Sequence, residues 1–500
     1  MSDNKSDKVF KGMRSQSIVT ILLGVVSLVY FSIMSRLLGQ EEFGYLAIIT
    51  AVTTILSEIS NAGLGSAVIQ HKDITHGYVQ TAFTLSVSVG MFFMVFLFLC
   101  AGWLSSLLVQ NDVLVTPFRI MSLTLLGYNI NSVLRATYMR QLQFMRYGLQ
   151  ELMALTLSSI IGVVMAYAGF GIYSIVAASV TNVLLLSLIL LWLCRSNVSL
   201  GIKRQHIRSI VNYGGWLTGS GIVRCIYDQL DKLITTSYLS VASLGAYNRP
   251  SGLIFQISVR LFGIFDTILF PILSSIQDDK SKLKEAYIKS MNLVVSFSSI
   301  IAFLMILSSP VLVAIFLGSE WNSLLSLLQL LILSIIFMAY GRIGDCFFRS
   351  IGIVKSYFYV RVIVCIISVV CIVIGCQFNI MGLAIAVLGT RLIDCLVKTF
   401  FLARHINFGY TNLALSILKG IFAPTLLCIG GYLILLQSPT IIMSIIITTA
   451  YALILLISII LRPSLLGEHF EQNVYFKIHE QLSKKIRTDE TFGYYQNKRK

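Results

Sequence analysis

The chain has 500 residues, 56% of them hydrophobic and only 12% charged, with a formal net charge of +16. A soluble domain carries roughly 25% charged residues, so this composition, with a mean hydropathy of +0.83, excludes a soluble globular protein and implies a polytopic membrane protein. No Walker A pattern is present, which argues against direct use of ATP.

Apolar runs of about 20 residues, the length that crosses a bilayer, fall near 15–37, 43–62, 79–101, 114–138, 148–168, 171–193, 210–239, 244–274, 286–317, 323–350, 356–376, 380–402, 415–436 and 440–461. Charge interrupts those near 114–138, 210–239 and 323–350. The expected fold class is therefore all-α, with about fourteen transmembrane helices. The opening segment MSDNKSDKVFKGMRS is followed by no small-residue cleavage site, so the first run reads as a retained helix. Residues 463–500 form a polar, basic tail.

Charge placement fixes an orientation. With the N-terminus in the cytoplasm, one set of loops receives Lys5, Lys8, Lys11, Arg14, Lys72, Arg140, Arg146, Arg195, Lys203, Arg204, Arg208, Lys280, Lys282, Lys284, Lys355, Arg404 and the tail. The opposite set, around 38–42, 102–113, 168–170, 240–243, 318–322, 377–379 and 437–439, contains no Lys or Arg. The positive-inside rule then places both termini in the cytoplasm. The net charge is largely topological and calls for no nucleic-acid partner, though some of it suits anionic lipid head groups.

A weak repeat relates the two halves. Leu38–Gly44 (LGQEEFG) matches Leu239–Gly245 (LSVASLG) at an offset of 201, Arg140 and Arg146 fall on Arg349 and Lys355, and Gly171-Ile172 fall on Gly382-Leu383. Six crossings separate the copies, so they would be parallel repeats about an axis normal to the membrane. This divides the chain into an N-terminal lobe (1–208), a C-terminal lobe (209–410), two additional helices (411–462) and the tail. Two lobes suggest a transporter that rocks around a central cavity, and leave the cargo open.

Polar residues within the spans sort by helical face. In the second helix Thr50, Thr54, Ser57, Glu58 and Asn61 cluster together. In the seventh, Asn212, Trp216, Ser220, Arg224, Asp228 and Lys232 recur at steps of four and share a face, with Asp231 beside them. The eighth carries Arg249, Gln256 and Arg260 within about 40° of one another. The tenth and twelfth share a pattern, Arg342-x-x-Asp345-x-x-x-Arg349 and Arg391-x-x-Asp394-x-x-x-Lys398.

Each charge at mid-membrane depth costs about 2.5–3.5 kcal/mol on insertion scales, which marks a polar path or an internal pair. Arg224 with Asp228, Arg342 with Asp345 and Arg391 with Asp394 stand at spacings that allow local neutralisation. Arg249, Arg349 and Lys398, near helix ends, are placed to snorkel. Even after such pairing an excess of guanidinium remains. A cavity lined by Arg suits a phosphate or carboxylate, and spare acids suit proton or sodium coupling. The nine Cys read as packing residues and the six scattered His take no metal role; no cofactor is implied.

Several stretches resemble a known family. Tyr213-Gly-Gly-Trp216-Leu-Thr218, Leu244-Gly-Ala-Tyr247-Asn248, Phe270-Pro271 with Ile276-Gln277-Asp278-Asp279, and Gly318-Ser-Glu-Trp321-Asn322 leading into Leu327-Leu-Gln329-Leu are similar to the Wzx-type polysaccharide-transport flippases of bacterial inner membranes. So are Arg36-Leu-Leu-Gly39 with Glu42-Phe43-Gly44, and Gly63-Leu-Gly-Ser66-Ala-Val-Ile-Gln70. The resemblance runs over about residues 10–460, and its nearest branch includes the colanic acid exporter.

The resemblance implies the multidrug/oligosaccharidyl-lipid/polysaccharide exporter fold, with two six-helix lobes plus two extra helices. It implies an undecaprenyl-diphosphate-linked oligosaccharide as cargo, moved to the periplasmic leaflet for O-antigen, capsule or exopolysaccharide synthesis. The residues expected to meet the diphosphate are Arg224, Arg260, Arg342 and Arg391, with Arg249 and Lys398 beside them. Those expected to couple an ion are Asp228, Asp231, Glu58, Asp394 and Asp345. Asn61 stands where relatives often have an acid, which leaves that role to Glu58 one turn earlier.

Inner-membrane lipids, a polysaccharide polymerase and a chain-length regulator are the expected partners. Two other readings stay open: a drug/cation antiporter of the same fold, against which the surplus Arg argues, and a membrane polysaccharide polymerase, whose expected large outer loop is missing.

Overall fold

The computed structural model describes residues 3–61, 64–65, 68, 75–141, 143–194, 200–203, 207, 215–407, 425, 428–434 and 441–461, with the backbone alone described at 3–17, 215–217, 264, 266–268, 271 and 456–461. The expected span 415–436, Asn212, Tyr213, the side chains of Trp216 and Asp266, and the tail 463–500 lie largely or wholly outside these residues.

Among the described residues there is no strand, and the long helices follow the apolar runs. They are α1 (Asp3–Leu37), α2 (Gln40–Asn61), α3 (His76–Val109), α4 (Val115–Arg140), α5 (Phe144–Tyr167), α6 (Ile172–Leu193) and α7 (Gly215–Thr235). After these come α8 (Val241–Ser275), α9 (Lys280–Leu307), α10 (Leu325–Ser350), α11 (Val354–Cys376), α12 (Ile380–Ile406) and α13 (Ile441–Leu461). Nine stretches of described helix are long and apolar enough to cross a membrane. α4, α7 and α8 are not among them; α4 carries Arg119, Asn129, Asn131 and Arg135 within its run, and α7 carries Arg224, Asp228, Asp231 and Lys232.

Local chemistry sets the ends. Thr75 caps α3 by accepting from Tyr78 N, which also donates to Thr75 O, and Asp279 caps α9 by accepting from the N–H groups of Ser281 and Lys282. The run expected at 286–317 is not one continuous helix. α9 stops at Leu307, a short turn follows at Ser309–Leu312, then a π-helical turn at Val313–Leu317 and a 3-10 turn at Ser319–Leu324. Pro310 has no N–H for the helical ladder. Gly318, at φ 101, takes a left-handed backbone that a side chain would strain.

Carbonyls freed by this break find partners on α1. Arg36 Nη2 donates to Ala314 O at 2.9 Å and Ile315 O at 3.0 Å, and Ser32 Oγ donates to Ile315 O at 2.6 Å. Backbone acceptors left without a helical partner at membrane depth need such donors.

By packing, the chain groups into two compact units. The first holds Met1–Arg260, Val313–Leu328 and Ile353–Ile393; the second holds Leu261–Leu312, Gln329–Gly352 and Asp394–Lys500. In the first, α3 packs along α4, α5 along α6, α1 along α5, and α7 lies between α11 and α2. Because α2 and α7 pack together, these units are not the lobes expected at 1–208 and 209–410, a division that rests on the repeat. In the second unit α9 packs against α13, where Ser444 Oγ donates to Leu307 O at 2.5 Å.

Repeat-matched positions touch inside the first unit. A Cβ on Gly44 would lie 2.0 Å from Val241 O, and one on Gly245 would lie 1.7 Å from Gln40 O. Gln40 corresponds to Val241, and Gly44 to Gly245, at the same offset of 201. The contact is thus reciprocal, as at a two-fold axis, and only glycine permits so close an approach of backbones. On α3, Phe92, Phe96, Leu99 and Trp103 are exposed, a surface suited to acyl chains and not to water.

Candidate functional site

Charged side chains gather in three places. The first lies between α1 and α8, where Arg249 and Arg260 stand three turns apart. Arg249 is 8% exposed. Its Nε donates to Ser35 Oγ at 2.8 Å and its Nη2 donates to Phe31 O. The guanidinium also sits over the rings of Phe31 and Phe43, 3.4 and 4.0 Å from their centroids, a contact strengthened by desolvation. Trp321 donates its indole N–H to Ser35 O at 3.1 Å and meets Phe43 edge-on at 5.9 Å. Arg249 therefore does not snorkel; it joins α1, α2 and α8 into one clamp.

Arg260 is held more loosely. Its donors reach Thr20 O at 3.2 Å and Ser27 Oγ at 3.1 Å, over Gly24, where a Cβ would approach Nη1 to 3.1 Å. Glu151 on α5 lies within electrostatic reach of Arg260 and Arg135.

Between these two arginines is a cavity of about 370 Å³ walled by α1, α2, α5, α6 and α8. Tyr30, Met34, Leu46, Leu155 and Ile175 contribute to its wall, and among the described residues its charged lining is Arg249 and Arg260. Among the described residues, neither the Tyr30 hydroxyl nor Gln256 Oε1, both at this cavity, has a hydrogen-bond partner. Such a site offers an anion two guanidinium groups and the Tyr30 hydroxyl as a donor, in an otherwise largely apolar wall.

The second place is the meeting of α7, α11 and α12. Asp228, expected to pair with Arg224 one turn away, meets it only at 3.9 Å, and its shorter contact is across helices: Arg391 Nη1 donates to Asp228 Oδ1 at 3.0 Å. The Arg391 guanidinium also lies 4.8 Å from the centroid of the Tyr227 ring. Arg361, which donates to Tyr357 Oη from Nε at 3.2 Å and Nη2 at 3.1 Å, is within electrostatic reach of Asp228. Asp231 accepts from Tyr247 Oη at 2.7 Å and lies within electrostatic reach of Arg391. Glu58 is the exposed member of the five candidate acids and faces α7, where a Cβ on Gly221 would lie 3.0 Å from its Oε1.

The third place is in the second unit. Lys398 is 1% exposed, so it neither snorkels nor meets an aqueous cavity. Its ammonium contacts Asp345 Oδ1 at 2.8 Å and Asp394 Oδ2 at 2.6 Å and donates to Gly341 O at 3.1 Å. A Cβ on Gly341 would lie 2.9 Å from Asp394 Oδ2, and one on Gly344 3.2 Å from Lys398 Cδ, so the two glycines open the groove that seats the lysine. Arg342, on the same helix, is partly buried.

Of the six expected cationic contacts, then, Arg249, Arg391 and Lys398 are tightly held by the protein, Arg260 lines the cavity while donating to Thr20 O and Ser27 Oγ, Arg342 is partly buried, and Arg224, 3.9 Å from Asp228, has a side chain 54% exposed. Reading the sequence did not single out Arg361, Tyr227 or Glu151. Arg361 sits in an apolar run with no acid within a helical turn, so no local pattern marks it. Among the described residues no group of three or more His, Cys, Asp or Glu is placed to hold a metal ion.

Comparison with known proteins adds the following. Residues 33–326 match the family described as "Polysaccharide biosynthesis protein". The lipopolysaccharide biosynthesis protein WzxC of Escherichia coli (strain K12) is 24% identical over 65% of this chain and 66% of its own length. The succinoglycan biosynthesis transport protein ExoT of Rhizobium meliloti (strain 1021) is 25% identical over 60% of this chain and 61% of its own. The chain thus spans a little under two thirds of these relatives. A solved structure of the lipid II flippase MurJ, in an inward closed conformation, superposes with a TM-score of 0.70 at 15% identity, covering 90% of this chain and 99% of that one.

Proposed function

The chain belongs to the polysaccharide biosynthesis protein family, and on that premise we propose that it is a flippase for undecaprenyl-diphosphate-linked oligosaccharide repeat units. In this reading it lies in a bacterial inner membrane with both termini in the cytoplasm. It moves its cargo to the periplasmic leaflet by alternating access, for O-antigen, capsule or exopolysaccharide synthesis. A transport relative among the matches and a fold shared with a lipid II flippase support the class.

The observation that carries the cargo assignment is the cavity between α1 and α8, whose charged lining among the described residues is Arg249 and Arg260. A diphosphate presents several anionic oxygens, and guanidinium groups bind such oxygens through paired hydrogen bonds. Arg260 is the group that meets the phosphate; Arg249 holds the wall in shape. The polyprenyl tail stays in lipid, against exposed apolar faces such as that of α3.

Alternating access requires the outer ends of α2 and α8 to part. On the expected orientation, the Gly44–Gly245 crossing closes the periplasmic side. Coupling to an ion falls most naturally to Glu58, which is exposed, since Asp228, Asp345 and Asp394 already face cations and Asp231 faces Tyr247.

The test is complementation. In a strain lacking this protein, wild type should restore surface polysaccharide, and Arg260→Ala, present in the membrane at equal level, should not. Normal polymer with Arg260→Ala would remove that residue and this cavity from the mechanism.

A further inference from the structure

The cavity between α1 and α8 is charged at its ends and polar, without charge, in its middle. Arg249 donates to Phe31 O and Ser35 Oγ, and Arg260 to Thr20 O and Ser27 Oγ, so the two helices run side by side with one guanidinium at each end. Gln256 stands between the arginines on α8, and Tyr30 stands between Ser27 and Ser35 on α1. Both line the cavity.

These two residues carry buried oxygens, the Tyr30 hydroxyl and Gln256 Oε1, that meet no hydrogen-bond partner among the described residues. The Ser27 hydroxyl in the same wall is occupied: it donates to Leu23 O at 2.7 Å and accepts from Arg260. Gly162 on α5 leaves room for the tyrosine, since a Cβ there would lie 3.0 Å from its hydroxyl. Buried polar atoms without partners are costly, and two of them at one cavity mark a place where a ligand supplies the partners.

The two oxygens ask for different chemistry. A tyrosine hydroxyl both donates and accepts, whereas a carboxamide oxygen only accepts. An ionised diphosphate esterified at both ends has no hydrogen to give, so it cannot satisfy Gln256 Oε1. A sugar can, through its hydroxyls or any N–H it carries, and its oxygens accept from Tyr30.

Spacing follows the order of groups in such a cargo. Gln256 is one turn, about 6 Å of helix rise, from Arg260 on the side of Arg249. With the phosphates at Arg260, the first sugar reaches the level of Gln256. The cavity, about 370 Å³, is at the small end of ligand sites, so it admits the head of the cargo and not its whole glycan.

We propose that Gln256 and Tyr30 read the first sugar of the cargo, Gln256 accepting from a sugar hydroxyl or N–H while Arg260 holds the diphosphate. The inference rests on the flippase reading and assigns sugar selection to neutral residues of the same cavity. Its consequence is discrimination against bare carrier lipid. A prenyl diphosphate without sugar leaves Gln256 Oε1 unpaired, and competes weakly with the loaded form.

The test compares two lipids on purified full-length protein in detergent, with affinities read by thermophoresis: undecaprenyl diphosphate, and the lipid-linked repeat unit that accumulates in a strain lacking this protein. Wild type should bind the sugar-bearing lipid more tightly. Gln256→Met keeps the length and removes the carboxamide, and should shrink that preference about fivefold, the scale of one hydrogen bond. A merely structural Gln256 would instead weaken both lipids alike and leave the preference as it was. Tyr30→Phe removes one oxygen and should also shrink the preference; it decides the matter if Gln256→Met does not fold.

No preference in wild type, or an undiminished preference in the folded variant, would overturn the proposal. Either result with Arg260-dependent flipping preserved would leave the flippase reading standing. Wild type that binds neither lipid and flips neither would instead remove that reading.

Discussion

Gly44 and Gly245 meet at a crossing in which each removes the side chain that would strike the other's helix: a Cβ on Gly44 would lie 2.0 Å from Val241 O, and one on Gly245 1.7 Å from Gln40 O. Both distances are far inside van der Waals contact, so an added methyl must push the helices apart. Replacing either glycine with Ala should destabilise this closed arrangement by about 1–3 kcal/mol, the usual cost of overpacking. The reciprocity adds a sharper expectation. Gly44→Ala and Gly245→Ala should have similar effects on thermal stability and on export, and a large effect of one with none of the other would show that the crossing is not the symmetric contact described.

Lys398 offers the strongest stability prediction. Removing its ammonium leaves the carboxylates of Asp345 and Asp394 buried without their shared cation, and breaking a buried pair in this way costs about 3–5 kcal/mol. Lys398→Met should fall sharply in melting temperature and in folded yield. The triple variant Asp345→Asn, Lys398→Met, Asp394→Asn should recover most of that loss, because the two carboxylates are removed together with the cation they share. Failure of the triple to recover would mean that the three residues contribute through packing and not charge.

Arg249→Lys tests the clamp. A lysine keeps the charge but loses the planar group that lies over Phe31 and Phe43 and the donors that reach Ser35 and Phe31. The expected loss is about 2 kcal/mol or more, the range of a desolvated cation–π contact, measured by thermal unfolding in detergent. An unchanged melting temperature would return Arg249 to the role of a cargo contact.

Much of this was legible in the sequence, and the part that was not has a common cause. Apolar runs and loop charge located the long helices, because membrane length and hydropathy are properties of contiguous residues. The resemblance to Wzx-type flippases is borne out by the family match over residues 33–326 and by the relatives. LGQEEFG and LSVASLG already aligned Gly44 with Gly245, although nothing in the two strings said that the glycines touch.

Ion pairing was less legible, because helical spacing reveals only partners on the same helix. Asp228 takes its shortest contact from Arg391, 163 positions away, and Asp345 and Asp394 converge on one lysine from two helices. Arg249 and Lys398 looked like residues near helix ends that reach for the interface, yet both are buried, because neighbouring helices supply partners at that depth. Pro310 and Gly318 mark the break that ended α9 at Leu307, a signal outweighed by the continuous apolar composition around them.

Flipping itself is the measurement that matters most. Proteoliposomes holding the purified protein and undecaprenyl-diphosphate-linked oligosaccharide should expose the glycan on both faces, read with a membrane-impermeant glycan-cleaving enzyme added outside. Wild type should let the enzyme consume nearly all of the glycan, while Arg260→Ala, equally folded and reconstituted, should leave the inner-leaflet half protected. Full protection of that half with wild type, or equal consumption with Arg260→Ala, would contradict a flippase that carries its cargo through the arginine-lined cavity between α1 and α8.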